Sequence, residues 1–87
     1  MMARRSLEIS RTAEKQLRAL SVDAQRRLAR AMVALADDPF PRGSRKLVGY
    51  QDVFRIRVGV YRVIYDVAEA QLVIIILKIG HRKDVYR

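Results

Sequence analysis

The stretch Val53-Phe54-Arg55-Ile56-Arg57-Val58-Gly59-Val60-Tyr61-Arg62-Val63-Ile64-Tyr65 decides how this chain folds. Two runs with period-two alternation flank Gly59-Val60. A Gly-X dipeptide between such runs signals a two-residue hairpin with Gly at the first turn position. With Val58 paired to Tyr61, Arg57 faces Arg62, Ile56 faces Val63, Arg55 faces Ile64 and Phe54 faces Tyr65. Side chains alternate between the faces of a strand. One face therefore carries Phe54, Ile56, Val58, Tyr61, Val63 and Tyr65, and the other gathers Arg55, Arg57 and Arg62 around Ile64.

The second face is electrostatically odd. Like charges directly opposite on adjacent strands are destabilising, and an arginine cannot escape by losing its proton. Two readings fit: a cradle for phosphates, which the guanidinium fork suits, or a solvated outer face of splayed arginines. The cradle is favoured, because the same face has no acidic residue before Asp66.

Downstream of the hairpin, residues 66–71 read as a turn. Residues 72–79 are apolar at nearly every position, as in a strand covered on both faces. Upstream, Gly49-Tyr50-Gln51-Asp52 is a turn and residues 45–48 a short strand. Residues 37–44 hold both prolines and form a loop. Ala24, Leu28, Ala31, Met32 and Leu35 stripe a helix over residues 22–36, with Ser21 as its cap. Ala13, Leu17 and Leu20 stripe a shorter helix over residues 12–20, with cap oxygens offered by Ser10 and Thr12. Leu7 and Ile9 alternate in an edge or near-edge strand over residues 5–9. The expected fold is α+β, in the order β-α-α-β-β-β-β, with a mostly antiparallel twisted sheet and a helical hairpin on one face. One cover for residues 72–79 is then the helices; the other is the chain's own tail or a partner protein. Arg26, Arg27 and Arg30 lie away from the helical stripe and read as a solvated face.

With 87 residues, 51% of them hydrophobic, the chain is expected to form a single domain over 1–87. There is no cysteine, so neither disulfides nor thiolate metal sites hold it together. Met1–Arg5 carries charge with no apolar run behind it, so no signal peptide is expected. The apolar run at residues 72–77 is too short to cross a membrane. The expected location is the cytoplasm. Eighteen basic residues against 9 acidic give a net charge of +9, which points to a polyanionic partner. Residues 1–40 carry net +3 and residues 41–87 net +6, so the field belongs mainly to the hairpin half. One histidine and scattered carboxylates make no ligand set, and the isolated glycines make no phosphate loop; no metal or cofactor is expected.

The segments FRIRVGVYRVIYDV (54–67) and LKIGHRKDVYR (77–87), with the approach KLVGYQDVFR (46–55), resemble the RelE/ParE superfamily of toxin-antitoxin toxins. The resemblance covers nearly the whole chain, and its RelE branch looks closest. It implies a small RelE-like fold and a ribosome-dependent endoribonuclease that cleaves mRNA in the ribosomal A site. There the 2′-hydroxyl of one nucleotide attacks the adjacent phosphate and leaves a 2′,3′-cyclic phosphate. The resemblance implies Arg55, Arg57, Arg62, Arg82 and Tyr86 as catalytic residues. Arg45, Lys46, Lys83 and Arg87 are expected to bind RNA. It further implies a cognate antitoxin, in a hetero-oligomer expected to bind operator DNA through the antitoxin.

Where the family often has lysines in the third strand, this chain has Arg55 and Arg57. Arginine, with a pKa of roughly 12 or higher, is a poor general base. His81, the one histidine, and Tyr86 are the candidates for proton transfer. Two other functions share the resemblance: a ParE-type DNA gyrase inhibitor, and a non-catalytic member acting only through its antitoxin complex.

Overall fold

The computed structural model describes residues 4–81. Its elements are β1 (Ser6–Ile9), α1 (Arg11–Arg18), α2 (Val22–Asp37), β2 (Arg45–Lys46), β3 (Val53–Val58), β4 (Tyr61–Ala68), one 3₁₀ turn (Glu69–Gln71) and β5 (Val73–His81). Both helices begin on a serine. Ser10 Oγ accepts from the Ala13 N–H at 3.0 Å and Ser21 Oγ from the Ala24 N–H at 3.2 Å, each satisfying an otherwise orphaned helix donor. At the far end of α2, Asp38 Oδ1 accepts from the Phe40 N–H at 3.0 Å and turns the chain into the proline loop.

The sheet runs β1-β5-β4-β3-β2. β1 is parallel to β5, and every other neighbour is antiparallel. The β3–β4 register is the one the alternation predicts, from Val58 opposite Tyr61 to Phe54 opposite Tyr65. Gly59 opens the turn at φ +62°, a backbone state that L side chains resist. A Cβ there would also lie 2.8 Å from Arg27 Nη2. Arg27 is therefore not simply solvated: its guanidinium lies over the hairpin turn.

The helices cover one face of the sheet. Leu28 and Leu35 of α2 and Ala13 of α1 pack with Val63, Tyr65, Ile74, Ile76 and Ile79, all at most 1% exposed. Burying each large aliphatic side chain stabilises by about 1.5–3 kcal/mol. The Tyr65 hydroxyl donates to the Pro39 carbonyl at 2.7 Å and ties the proline loop to the sheet.

Several boundaries differ from the sequence reading, α1 among them, which runs from Arg11 to Arg18 rather than over residues 12–20. β4 continues through Asp66, Val67 and Ala68, which pair with Ile75, Ile74 and Val73. Val67 is buried against the helices, so the alternation persists past a polar residue on the other face. The turn shrinks to Glu69–Gln71 and closes on Leu72 at φ +55°. β2 has two residues rather than four; Val48 is 97% exposed and has left the ladder. β5 runs two residues further than expected, to His81.

The register also shifts at Ile64/Tyr65. Ile64 pairs with Lys78 but Tyr65 pairs with Ile76, so Leu77 is an extra residue in β5. A bulge of this kind re-aims the side chains that follow it. Ile74 and Ile76 face the helices, and strict alternation would send Lys78 there too. With Leu77 inserted, Ile79 takes the core position and Lys78 falls on the open face.

Candidate nucleic-acid interface

The face away from the helices is built from the alternate residues of four strands. Nearest the hairpin turn, Arg57 stands opposite Arg62, and Arg62 opposite Gly80, which has no side chain. In the next row Arg45 stands opposite Arg55, Arg55 opposite Ile64, and Ile64 opposite Lys78. Strands lie about 4.8 Å apart and successive rows about 7 Å apart. Two directly opposed arginine pairs and a lysine therefore share one small area. Among the described residues, no carboxylate lies within ion-pair distance of Arg45, Arg55, Arg57 or Lys78.

The arginines are not equivalent. Arg57 and Arg45 are exposed and Arg62 is half-buried. Arg55 is only 8% exposed and donates from Nη1 to the Gly43 carbonyl at 3.3 Å. It braces the loop before β2, whereas Arg57 and Arg45 present their forks to solvent. A cavity of about 400 Å³ opens beside them, at the edge of β3, with Arg42, Arg45, Arg55 and Arg57 in its wall.

The structure thus brings Arg45, Arg55, Arg57 and Arg62 onto one face. Two other expected residues sit elsewhere in register. Lys46 pairs with Phe54, and His81 pairs with Tyr61; both partners pack toward the helices. His81 is exposed at the end of β5 but does not share the phase of the arginines. Arg82, Lys83, Tyr86 and Arg87 lie outside the described residues. Sequence reasoning missed Lys78. Its signal was present, as the lone charge within an apolar run, but its face depends on the bulge at Leu77.

A second cavity, of about 490 Å³, adjoins the cationic rows on the same face. Val53 and Ile64 form its buried floor, with Leu47 and Leu77 packed against them. Tyr50, 62% exposed, and Lys78 complete its wall.

What such an arrangement can do is hold anions in series. Fixed guanidinium groups neutralise phosphate oxygens without reorganising. Helix α2 adds three exposed arginines, Arg26, Arg27 and Arg30, of which Arg27 reaches the hairpin turn at Gly59. No helix among the described residues is long and apolar enough to cross a membrane.

Comparison with known proteins bears on the fold as a whole. The family model for the ParE toxin of the type II toxin-antitoxin system parDE matches residues 7–86. A chain of the archaeal RelE–RelB complex from Pyrococcus horikoshii OT3 is 33% identical and superposes with a TM-score of 0.82, over 95% of this chain and 100% of that one. The isolated RelE toxin of E. coli is 26% identical, with a TM-score of 0.79 over 94% of this chain and 90% of that one. The toxin–antitoxin complex RelBE2 of Mycobacterium tuberculosis shares the fold, at 22% identity and a TM-score of 0.81, over 92% of this chain and 100% of that one.

Proposed function

The chain belongs to the RelE/ParE superfamily of type II toxin-antitoxin toxins, and from that membership we propose that it is a ribosome-dependent, metal-independent endoribonuclease that cleaves mRNA in the A site. The observation that carries this reading is the direct opposition of Arg57 and Arg62 on an open face. Two guanidinium forks side by side can grip one phosphate from both sides.

In the proposed reaction the ribose 2′-oxygen attacks the adjacent phosphorus as the 2′-hydroxyl loses its proton. The bond to the 5′-oxygen of the next nucleotide breaks, and that oxygen takes up a proton. The products are a 2′,3′-cyclic phosphate and a free 5′-hydroxyl. Because the nucleophile is the 2′-hydroxyl, the substrate is RNA. Arg57 and Arg62 hold the phosphate and neutralise the charge that grows on its oxygens. Arg55 is a positioning residue, which fixes the loop that leads into β2 and Arg45. Arg45 and Lys46 bind the flanking backbone, with Lys83 and Arg87 assigned the same role by family resemblance. Arg82 and Tyr86 complete the site on the same basis, and Tyr86 is the better candidate for proton transfer, since His81 lies in the register of the other face.

A cognate antitoxin is the proposed protein partner, as in the RelE–RelB complex of P. horikoshii. It would cover the cationic face, and the resulting hetero-oligomer would bind operator DNA through the antitoxin. The cytoplasm, where translating ribosomes are, is the proposed location.

The test is induction in cells followed by primer extension on translated mRNA. Cuts within A-site codons are expected, and both Arg57→Ala and Arg62→Ala should abolish them while the protein stays folded. Full toxicity in a folded Arg57→Ala/Arg62→Ala double variant would overturn the reading. The match to the ParE family model supports a second function, inhibition of DNA gyrase. Its signature is an induced DNA-damage response with mRNA intact.

A further inference from the structure

We propose that the apolar cleft beside the arginine rows is a nucleobase subsite, in which Tyr50 stacks on a base of the RNA whose phosphate lies between Arg57 and Arg62. The inference rests on the nuclease reading and extends it from the backbone to the base.

Three observations carry it. The cleft adjoins the phosphate site, because Ile64 and Lys78 both line the cleft and stand in the row next to Arg57–Arg62. The cleft lies one to two rows beyond Arg57–Arg62, at about 7 Å per row. A nucleotide bound by its phosphate places its base within that reach. The lining also suits a flat, partly apolar ring. Val53 and Ile64 supply a buried apolar floor, Tyr50 offers an aromatic side wall, and the volume of about 490 Å³ admits a purine. Tyr50 is 62% exposed and Val48 97% exposed, so large apolar surface faces solvent beside the most cationic part of the protein. An aromatic platform next to a cationic track is the general arrangement for binding single-stranded nucleic acid. Lys78 is the one charged residue of the lining and stands at the junction, where it meets the phosphate that follows the stacked base. Tyr50 is therefore a specificity-determining residue and Lys78 a backbone contact.

The experiment measures single-turnover cleavage on ribosomes programmed with A-site codons varied one base at a time. The wild type, Tyr50→Phe, Tyr50→Ala and Lys78→Gln are compared, and antitoxin affinity is measured for each. The wild type should prefer certain bases at one codon position. Tyr50→Ala should lose about tenfold in rate on the preferred base and flatten that preference, from the usual worth of base–aromatic stacking. Tyr50→Phe should keep both, and Lys78→Gln should slow all codons alike. A Tyr50→Ala protein with wild-type rate and preference overturns the inference, as does a wild type with no base preference. If Tyr50→Ala leaves the cuts unchanged but weakens antitoxin binding, the cleft belongs to the antitoxin and the inference is wrong. A wild type that cuts no codon overturns the nuclease reading itself, and this inference with it.

Discussion

At the scale of single residues, the cationic face sets like charges opposite one another across neighbouring strands. Arg45–Arg55 and Arg57–Arg62 are each directly opposed, and an opposed like-charge pair is destabilising by some tenths of a kcal/mol. Arg57→Ala should abolish cleavage while the free protein keeps its stability to within about 0.5 kcal/mol, as measured by urea unfolding. A solvated, functionless face would leave both unchanged. Tyr65 is the contrasting case, a polar group whose role is structural. Burial pushes its phenol up to about 12, with the charge of Asp38 acting the same way and a hydrogen bond with Ser44 opposing. The folded state thus holds this proton more tightly than the unfolded chain, whose tyrosines ionise near pH 10. The sign follows directly. Tyr65 contributes its full stabilisation below about pH 10, and the contribution disappears as pH rises through about 12. Tyr65→Phe, which cannot donate to Pro39, should lose about 1 kcal/mol at neutral pH. Urea unfolding from pH 8 to 11.5 checks both parts. Stability should fall more steeply with alkali in the wild type than in Tyr65→Phe, and parallel curves would refute the assignment.

At the scale of elements, what the sequence could reveal depended on how local each pairing is. The β3–β4 hairpin was readable to the residue, because a two-residue turn and unbroken alternation fix its register without reference to the rest of the chain. The placement of Arg55, Arg57 and Arg62 on one face came with it. β5 was not readable in this way. Its residues are apolar on both faces, so no alternation marks the phase, and the shift at Leu77 is set by contacts with β4 and the helices. Lys78 was missed for that reason, and for the same reason the register of His81 on the other face could not be foreseen. Asp66 misled in a different way. It looks like the start of a turn, but a polar residue is tolerated in β4 because it lies on the open face. The edge of β5 shows how non-local the control is. β1 stops pairing at Ile76, and the ladder is completed by other groups. The Ser10 N–H donates to the Ile76 carbonyl at 2.8 Å, Ser10 Oγ donates to the Leu77 carbonyl at 2.8 Å, and Gln16 Oε1 accepts from the Ile79 N–H at 2.7 Å. Removing that acceptor leaves a part-buried N–H unpaired, which costs about 1–3 kcal/mol. Gln16→Leu should lose stability in that range and speed amide exchange at Ile79. Gln16→Glu keeps the acceptor and should protect Ile79 as the wild type does. Equal exchange in Gln16→Leu and the wild type would show that the contact does not hold the strand.

At the scale of the whole molecule, the two sides of the sheet have separate tasks. The helices bury one face and supply the core, which frees the other to collect charge without disturbing packing. The charge is concentrated accordingly: residues 41–87 hold 10 basic and 4 acidic residues. A field of that sign guides any anionic partner, the proposed RNA and the proposed antitoxin alike, toward the same face, so the antitoxin would compete with RNA before either makes close contact. Steering of this kind acts on association, is screened over about 8 Å at physiological salt, and leaves the short-range contacts that govern dissociation much less affected. The on-rate of the antitoxin should therefore fall at least about tenfold as salt is raised from about 0.05 to 0.5 M, while the off-rate changes less than about threefold, as measured by stopped-flow mixing. Arg57→Ala should reduce the slope of the on-rate against salt and leave it linear. If salt instead acts mainly on the off-rate, the antitoxin is held by exposed ion pairs rather than guided by the field.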